Sequence, residues 1–231
     1  MFLIDVLGMS GDGVATNQWG DNGRDQAAGA GGTGKKLPPE FYLRDARVVA
    51  RELLGKELVR ESPEGTASGI IVETEAYLGV ADRASHAFGG RRSRRTAIMY
   101  EAGGRAYVYL IYGMYWCLNV TTCEAGTPEC VLVRALQPVA GIDLMRRRRQ
   151  AEGKRPAELA NGPGKLCRAL GIDGSLYGEE LCGDLLFIRD RPPSAPQEVG
   201  ASPRVNIGYA GEAAHHEWRY FIKGNPCVSR P

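Results

Sequence analysis

The chain lacks the raw material for a metal centre. It has only three histidines, His86, His215 and His216. Its six cysteines, Cys117, Cys123, Cys130, Cys167, Cys182 and Cys227, form no CxxC pair and no Cys/His cluster at zinc spacing. A His-rich metal site is therefore not expected. Several of these cysteines sit in apolar runs, where the residue acts as a small hydrophobe, so reduced thiols in an intracellular protein are expected. No run approaches the ~20 apolar residues of a membrane helix. Met1-Phe2-Leu3-Ile4-Asp5 is apolar but short, without a basic lead and broken by Asp5, so no signal peptide is expected. The GxxxxGK[ST] spacing of a nucleotide-binding loop is missing, as are internal repeats and a second-domain linker. An excess of one charge is missing too: the net charge is +2 over 231 residues, so global charge decides nothing.

What is present is local. Residues 1–37 are rich in Gly, Asp, Asn, Ala and Gln without periodicity, and are expected to be a disordered tail. From 38 to 231 the pattern predicts one α+β domain with a largely antiparallel, curved sheet, surrounding helices and a protruding β-hairpin. A helix is predicted from Asp45 to Leu54, stopped by Gly55, and strands over 56–60 and 69–78 around a Ser62-Pro63-Glu64-Gly65 turn. A polar loop is expected from Gly79 to Gly104. Strands over 106–112 and 114–122, broken at Gly113, read as the hairpin, followed by a strand over 130–136. Helices are predicted over 141–152 and 165–170.

Chemistry enters with Gly69-Ile70-Ile71-Val72-Glu73-Thr74-Glu75-Ala76-Tyr77-Leu78. Its apolar flanks call for burial, yet period two puts Glu73, Glu75 and Tyr77 on one face. A buried carboxylate must be paired or employed. Core arginines satisfying both carboxylates is one reading, and an active-site wall is the other. The two carboxylates lie roughly 6.6 Å apart along the strand, which overlaps the ~6.5–9.5 Å spacing of inverting glycosidases. A carbohydrate hydrolase using both is therefore one candidate. Arg134, in Val131-Leu132-Val133-Arg134-Ala135-Leu136, needs an anion, and Glu75 is the natural partner. Asn119 is similarly polar within a core-like strand.

Six arginines fall between 83 and 105, namely Arg83, Arg91, Arg92, Arg94, Arg95 and Arg105, against the single acid Glu101, and Arg146-Arg147-Arg148-Arg149 follows. A solvated face is the usual meaning of such a run, and two in one chain raise the odds of a polyanionic partner. Tyr107, Tyr109, Tyr112, Tyr115 and Trp116 surround Gly113. They suit a core-facing hairpin, or a stacking platform with a wedge for extruding a base. Asn161-Gly162-Pro163-Gly164-Lys165 is either an ordinary helix entry or a phosphate cradle. A DNA-binding protein that bends its duplex without catalysis satisfies several of these features as well.

Taken in order, these segments resemble the alkyladenine (3-methyladenine) DNA glycosylase family. The likeness runs through Leu54-Gly55-Lys56, Val72 to Gly79, Ser85-His86, Tyr107 to Met114, Cys117-Leu118-Asn119-Val120, Val131 to Leu136, Gly162 to Cys167 and Arg204 to Gly211, spanning residues 40 to 229. The resemblance implies a monofunctional repair enzyme that flips an alkylated or deaminated purine out of duplex DNA. Such an enzyme hydrolyses the N-glycosidic bond without a lyase step, leaves an abasic site, and is expected to need neither a metal nor an organic cofactor. It implies Glu75 as the base that activates water, with Arg134 and the Val205 carbonyl holding that water. Tyr77 would stack on one face of the base, with His86 and Tyr109 on the other. The His86 backbone amide would bond the base edge, Asn119 would obstruct the amine of normal guanine, and Tyr112 would be the wedge. Gly162, Gly164, Lys165, Arg94 and Arg95 are the expected contacts to the DNA backbone. The implied partner is double-stranded DNA with damaged purines, met by a monomer inside the cell. Glu101-Ala102-Gly103 departs from the family's less acidic Pro-Gly turn and puts a negative charge near the expected DNA face.

Overall fold

Among the described residues the longest strand is also the one that carries the two glutamates. In the computed structural model, which describes residues 34–192 and 197–230, β2 runs from Gly65 to Tyr77. Around it are β1 (Glu57–Ser62), β3 (Ala106–Ile111), β4 (Tyr115–Thr122), β5 (Glu129–Ala140), β6 (Leu186–Arg189), β7 (Val199–Ser202) and β8 (Arg219–Ile222). They form one curled sheet in the order β3-β4-β5-β2-β1-β6, with β8 on β2 and β7 on β8, and every pairing is antiparallel. The fold is a single mixed α+β domain, as the pattern predicts.

Irregularity in β2 decides which side its carboxylates face. Its register against β5 shifts on either side of Glu73: Ile71 pairs with Leu136 and Glu73 with Ala135, leaving Val72 extra. Such a bulge re-aims the side chains beyond it. Ile71 packs in the main core with Ala76, and the Thr74 hydroxyl donates to the Ala50 carbonyl on the same side. Val72 packs in a separate cluster with Ala135, Ile222 and Cys227. Strict alternation along the whole run would have grouped Ile71 with Glu73 and Glu75. Gly69 is needed where β2 meets β5, because a Cβ there would lie 2.9 Å from the Gln137 carbonyl oxygen.

Helix α1 (Pro39–Tyr42) and α2 (Ala46–Glu52) cover one side of the sheet, α2 being capped by the Asp45 carboxylate accepting from the Arg47 N–H. Helices α3 (Ile142–Arg149) and α4 (Pro163–Leu170) pack on each other, and Leu166, Cys167, Ala169 and Leu170 of α4 join the main core. The predicted Gly79–Gly104 loop instead holds three short 3-10 turns, Gly79–Ala81, Phe88–Gly90 and Ala97–Tyr100. Most of the predicted tail lies outside the described residues. Its last part does not behave as a tail: Lys36 bridges to Arg189, and the buried Leu37 donates its N–H to the Ile188 carbonyl. Among the described residues no helix is long and apolar enough to cross a membrane.

Candidate active site

Period two converts four adjacent strands into one wall. Tyr107, Tyr109 and Ile111 of β3 pair across to Asn119, Cys117 and Tyr115 of β4. Asn119 continues to Leu132 of β5, and Leu132 to Glu75 of β2. These residues, with Cys130, Arg134 and Tyr77, line one cavity of about 350 Å³. The turn at Ser85-His86 and the segment Val205-Asn206-Ile207 complete it, and Tyr209, Pro163, Gly164 and Arg230 also line it. A cavity of this size suits a single small ligand.

The Glu75 carboxylate is wholly buried at the cavity wall. Its Oε1 accepts the Val205 backbone N–H at 2.7 Å and lies 3.2 Å from Arg134 Nη1. Its Oε2 accepts the Tyr77 hydroxyl at 2.8 Å. An ionised carboxylate has about four acceptor positions, so these three donors leave one on Oε2. Burial, then the neighbouring Glu75 charge, pushes the Tyr77 phenol well up, and it stays a neutral donor.

Glu73 is equally buried but does not line the cavity. Its Oε1 accepts from Arg134 Nε and Arg219 Nε, both at 2.8 Å, and its Oε2 accepts the Ser229 N–H at 2.7 Å. Burial works against its charge, but Arg134, Arg219 and Ser229 outweigh it and hold Glu73 below the usual carboxylate range. A two-carboxylate sugar site needs both groups open to one cleft. Here the second is sealed behind two guanidinium groups, which removes that reading. Arg134 bridges the two carboxylates, and they raise its pKa against the opposing effect of burial.

The facing wall is aromatic. The His86 ring lies edge-on to Tyr109 at 4.8 Å between centroids, and its Nδ1 is 2.7 Å from the Tyr107 hydroxyl. Burial first, then Arg95 and Arg91, pushes the His86 pKa down to about 4, so the imidazole is neutral near pH 7. Asn119 is buried, with its Nδ2 donating to the Tyr107 carbonyl at 3.2 Å. Burial also pushes the Cys117 thiol up to about 11 and the Cys130 thiol higher still, so both line the cavity as neutral thiols. Among the described residues no group of three His, Cys, Asp or Glu side chains is placed to hold a metal ion.

Tyr112 stands apart from the packed tyrosines. It is 75% exposed at the hairpin tip. The Met114 N–H donates to the Ile111 carbonyl across Tyr112 and Gly113, whose φ values are 53° and 66°. Two positive φ values in sequence make the turn that a twisted hairpin prefers, normally with Asn-Gly. A tyrosine there is strained, and such strain gathers at working positions. Gly164 lets this hairpin dock: a Cβ at that position would lie 3.0 Å from Tyr115 Cβ.

The expected phosphate contacts divide. Arg94 is exposed, and the exposed Lys165 donates to Asn161 Oδ1 at 2.8 Å within its own helix entry. Arg95 folds back, its guanidinium 4.5 Å from the Tyr109 ring centroid. In the second arginine run Arg146 bonds Asp143, and Arg148 bonds Glu64, Ser62 and the Ala169 carbonyl. The negative charge of Glu101 is met by Arg105 at 3.2 Å. Tyr107, expected only as one of the aromatic set around Gly113, lines the cavity, as period two from Tyr109 requires. The sequence did not single out Tyr209, Arg204 or Arg230, which come from irregular segments with no pattern to read.

Residues 40–226 match the family model of methylpurine-DNA glycosylase (MPG). A protein of Bacillus cereus (strain G9842) named "Putative 3-methyladenine DNA glycosylase" is 48% identical over 206 residues, covering 84% of this chain and 99% of its own length. A protein of the same name from Desulfitobacterium hafniense (strain Y51) is 46% identical over 201 residues, covering 84% of this chain and 98% of its own. The match spans every strand that lines the cavity: the chain belongs to the methylpurine-DNA glycosylase family, DNA repair enzymes that hydrolyse N-glycosyl bonds.

Proposed function

We propose that this glycosylase flips a damaged purine into the 350 Å³ cavity and hydrolyses its glycosidic bond with a water activated by Glu75. The observation that carries this reading is the Glu75 carboxylate itself. It is buried, fixed by Val205, Arg134 and Tyr77, has one acceptor position left, and faces an aromatic slot. A water hydrogen-bonded to that remaining position gives its proton to Glu75 as its oxygen bonds the sugar C1′ and the base departs with the bonding electrons. An alkylated purine carries a positive charge and leaves readily. A neutral base such as hypoxanthine needs a proton first. No amine attacks the sugar, so the product is an abasic site and no lyase step follows.

Tyr77 stacks on one face of the base, and Tyr109 with His86 on the other, each such contact being worth ~1–3 kcal/mol. The His86 backbone N–H bonds the base edge, and the Val205 carbonyl joins Arg134 in holding the water. Asn119 crowds the amine of normal guanine. Tyr112 fills the gap left in the duplex. Arg94, Lys165 and the Gly162–Gly164 backbone meet phosphates. The partner is double-stranded DNA bearing alkylated or deaminated purines, met by a monomer inside the cell.

Base release from a panel of duplexes, each with one lesion, tests this reading. Wild-type protein is expected to release free purine, and Glu75→Gln to bind the same duplexes without releasing it. Excision retained by Glu75→Gln would remove Glu75 from the base role.

A further inference from the structure

The two aromatic walls of the cavity are both backed by arginine, but only one of those charges is cancelled. Behind Tyr77 lies Arg204, its guanidinium 4.7 Å from the ring centroid. Arg204 is buried and bidentate to Asp82, at 2.5 and 2.9 Å, so that wall is backed by a neutral pair. Behind Tyr109 lies Arg95, 4.5 Å from the centroid, with Nη2 3.5 Å from His86 Nε2. Among the described residues no carboxylate pairs with Arg95.

Arg95 is also outside the slot. Tyr109 lines both the cavity and a second, outer groove formed with Arg94, Arg95, Leu110, Trp116 and Tyr177. Arg95 lines only that outer groove. The Tyr109–His86 wall is therefore one ring thick, with an uncompensated cation against its far face and a neutral imidazole within it. A cation on one face of an aromatic ring draws down the negative potential of the other face and acts through it on whatever stacks there.

We propose that Arg95 is a specificity-determining residue, whose charge behind the Tyr109–His86 wall weakens binding of a cationic purine relative to a neutral purine of the same shape. The inference rests on the reading of the cavity as a purine slot. Arg95 touches no substrate and acts through Tyr109 and His86. In effect it turns the slot toward deaminated and other neutral lesions and offsets the pull of Glu75 on cationic ones.

The test uses two duplexes that differ in one charge. One carries 7-methylguanine, a cation, and the other 7-methyl-7-deazaguanine, its neutral isostere. Both are on 2′-fluorinated sugars that resist hydrolysis, so dissociation constants are read without excision. The quantity compared is the ratio of the two constants in each variant. Arg95 is exposed, so its variants are expected to fold. Arg95→Gln should shift the ratio toward the cation by on the order of tenfold, the size of one charge acting across a thin, partly solvated wall. Arg95→Glu should shift it further, and Arg95→Lys, which keeps the charge, should stay near wild type. A ratio within twofold of wild type in both Arg95→Gln and Arg95→Glu overturns the inference. In that case an equal weakening for both duplexes makes Arg95 a phosphate contact. If neither duplex binds more tightly than undamaged DNA, the purine-slot reading itself fails, and the inference with it. Excision by Glu75→Gln is scored separately, because the ratio does not depend on which group activates water.

Discussion

Glu73 and Glu75 stand one strand repeat apart, on one side of β2 and against the same guanidinium. Behind Glu73 the carboxylate meets Arg134, Arg219 and the Ser229 N–H, and no solvent or cavity reaches it. At Glu75 the donors are Val205, Arg134 and Tyr77, and the remaining side is a cavity. The same residue type is thus a fully satisfied structural ion in one place and an ion with a spare acceptor position in the other. Burial and charge pairing are common to both; the acceptor position left open at Glu75 is what the proposed mechanism uses.

The largest expected effect breaks the pair at Glu75. Glu75→Gln should lower single-turnover excision by about 10²–10⁴-fold, the usual worth of a positioned base, with little change in binding of damaged duplex. Glu73→Ala should show the opposite weighting. It leaves Arg134 and Arg219 buried without their shared anion, and urea denaturation should report a loss of about 3–5 kcal/mol. If Glu73→Ala is as stable as wild type and merely inactive, the comparison fails.

A smaller effect separates strain from function at the hairpin. Tyr112→Gly relieves a φ of 53° and should stabilise the fold by up to about 1 kcal/mol while lowering excision from duplex DNA. Tyr112→Ala keeps the strain and should lose excision without that gain. The two arginine runs give a further contrast. Arg94→Gln should flatten the dependence of log affinity on log salt by about one unit. Arg148→Gln should leave that slope unchanged, because Arg148 is engaged with Glu64 and Ser62.

The smallest effect is acidic. His86 has its pKa pushed down to about 4 from 6.5, so between those values the unfolded chain binds the proton and the folded one does not. The stabilising effect of a neutral, buried His86 is therefore whole above about 6.5 and lost as pH falls toward about 4. The melting temperature should drop more steeply over that window in wild type than in His86→Asn.

Much of this molecule was legible along the chain. Alternation placed Tyr107, Tyr109, Cys117, Asn119, Glu75 and Tyr77 on strands, and Gly113 marked the hairpin turn. Apolar runs around Arg134 and Glu75 required each to find a partner. These are local facts, because a strand repeats every two residues and a buried charge needs a counter-charge wherever the fold puts it. Three things were decided only in three dimensions. The extra residue at Val72 shifts the alternation of β2, and register against β5 cannot be read from one strand. Arg219 and Ser229 are brought to Glu73 from more than a hundred residues away, and with Arg134 they satisfy that carboxylate away from the cavity. Of the two arginine-rich segments, one leaves Arg94 exposed and sets Arg95 against the Tyr109 ring, while in the other Arg146 and Arg148 are engaged by Asp143, Glu64 and Ser62. A charge run states how much charge is present, while only the packing around it decides how much is left to meet a partner.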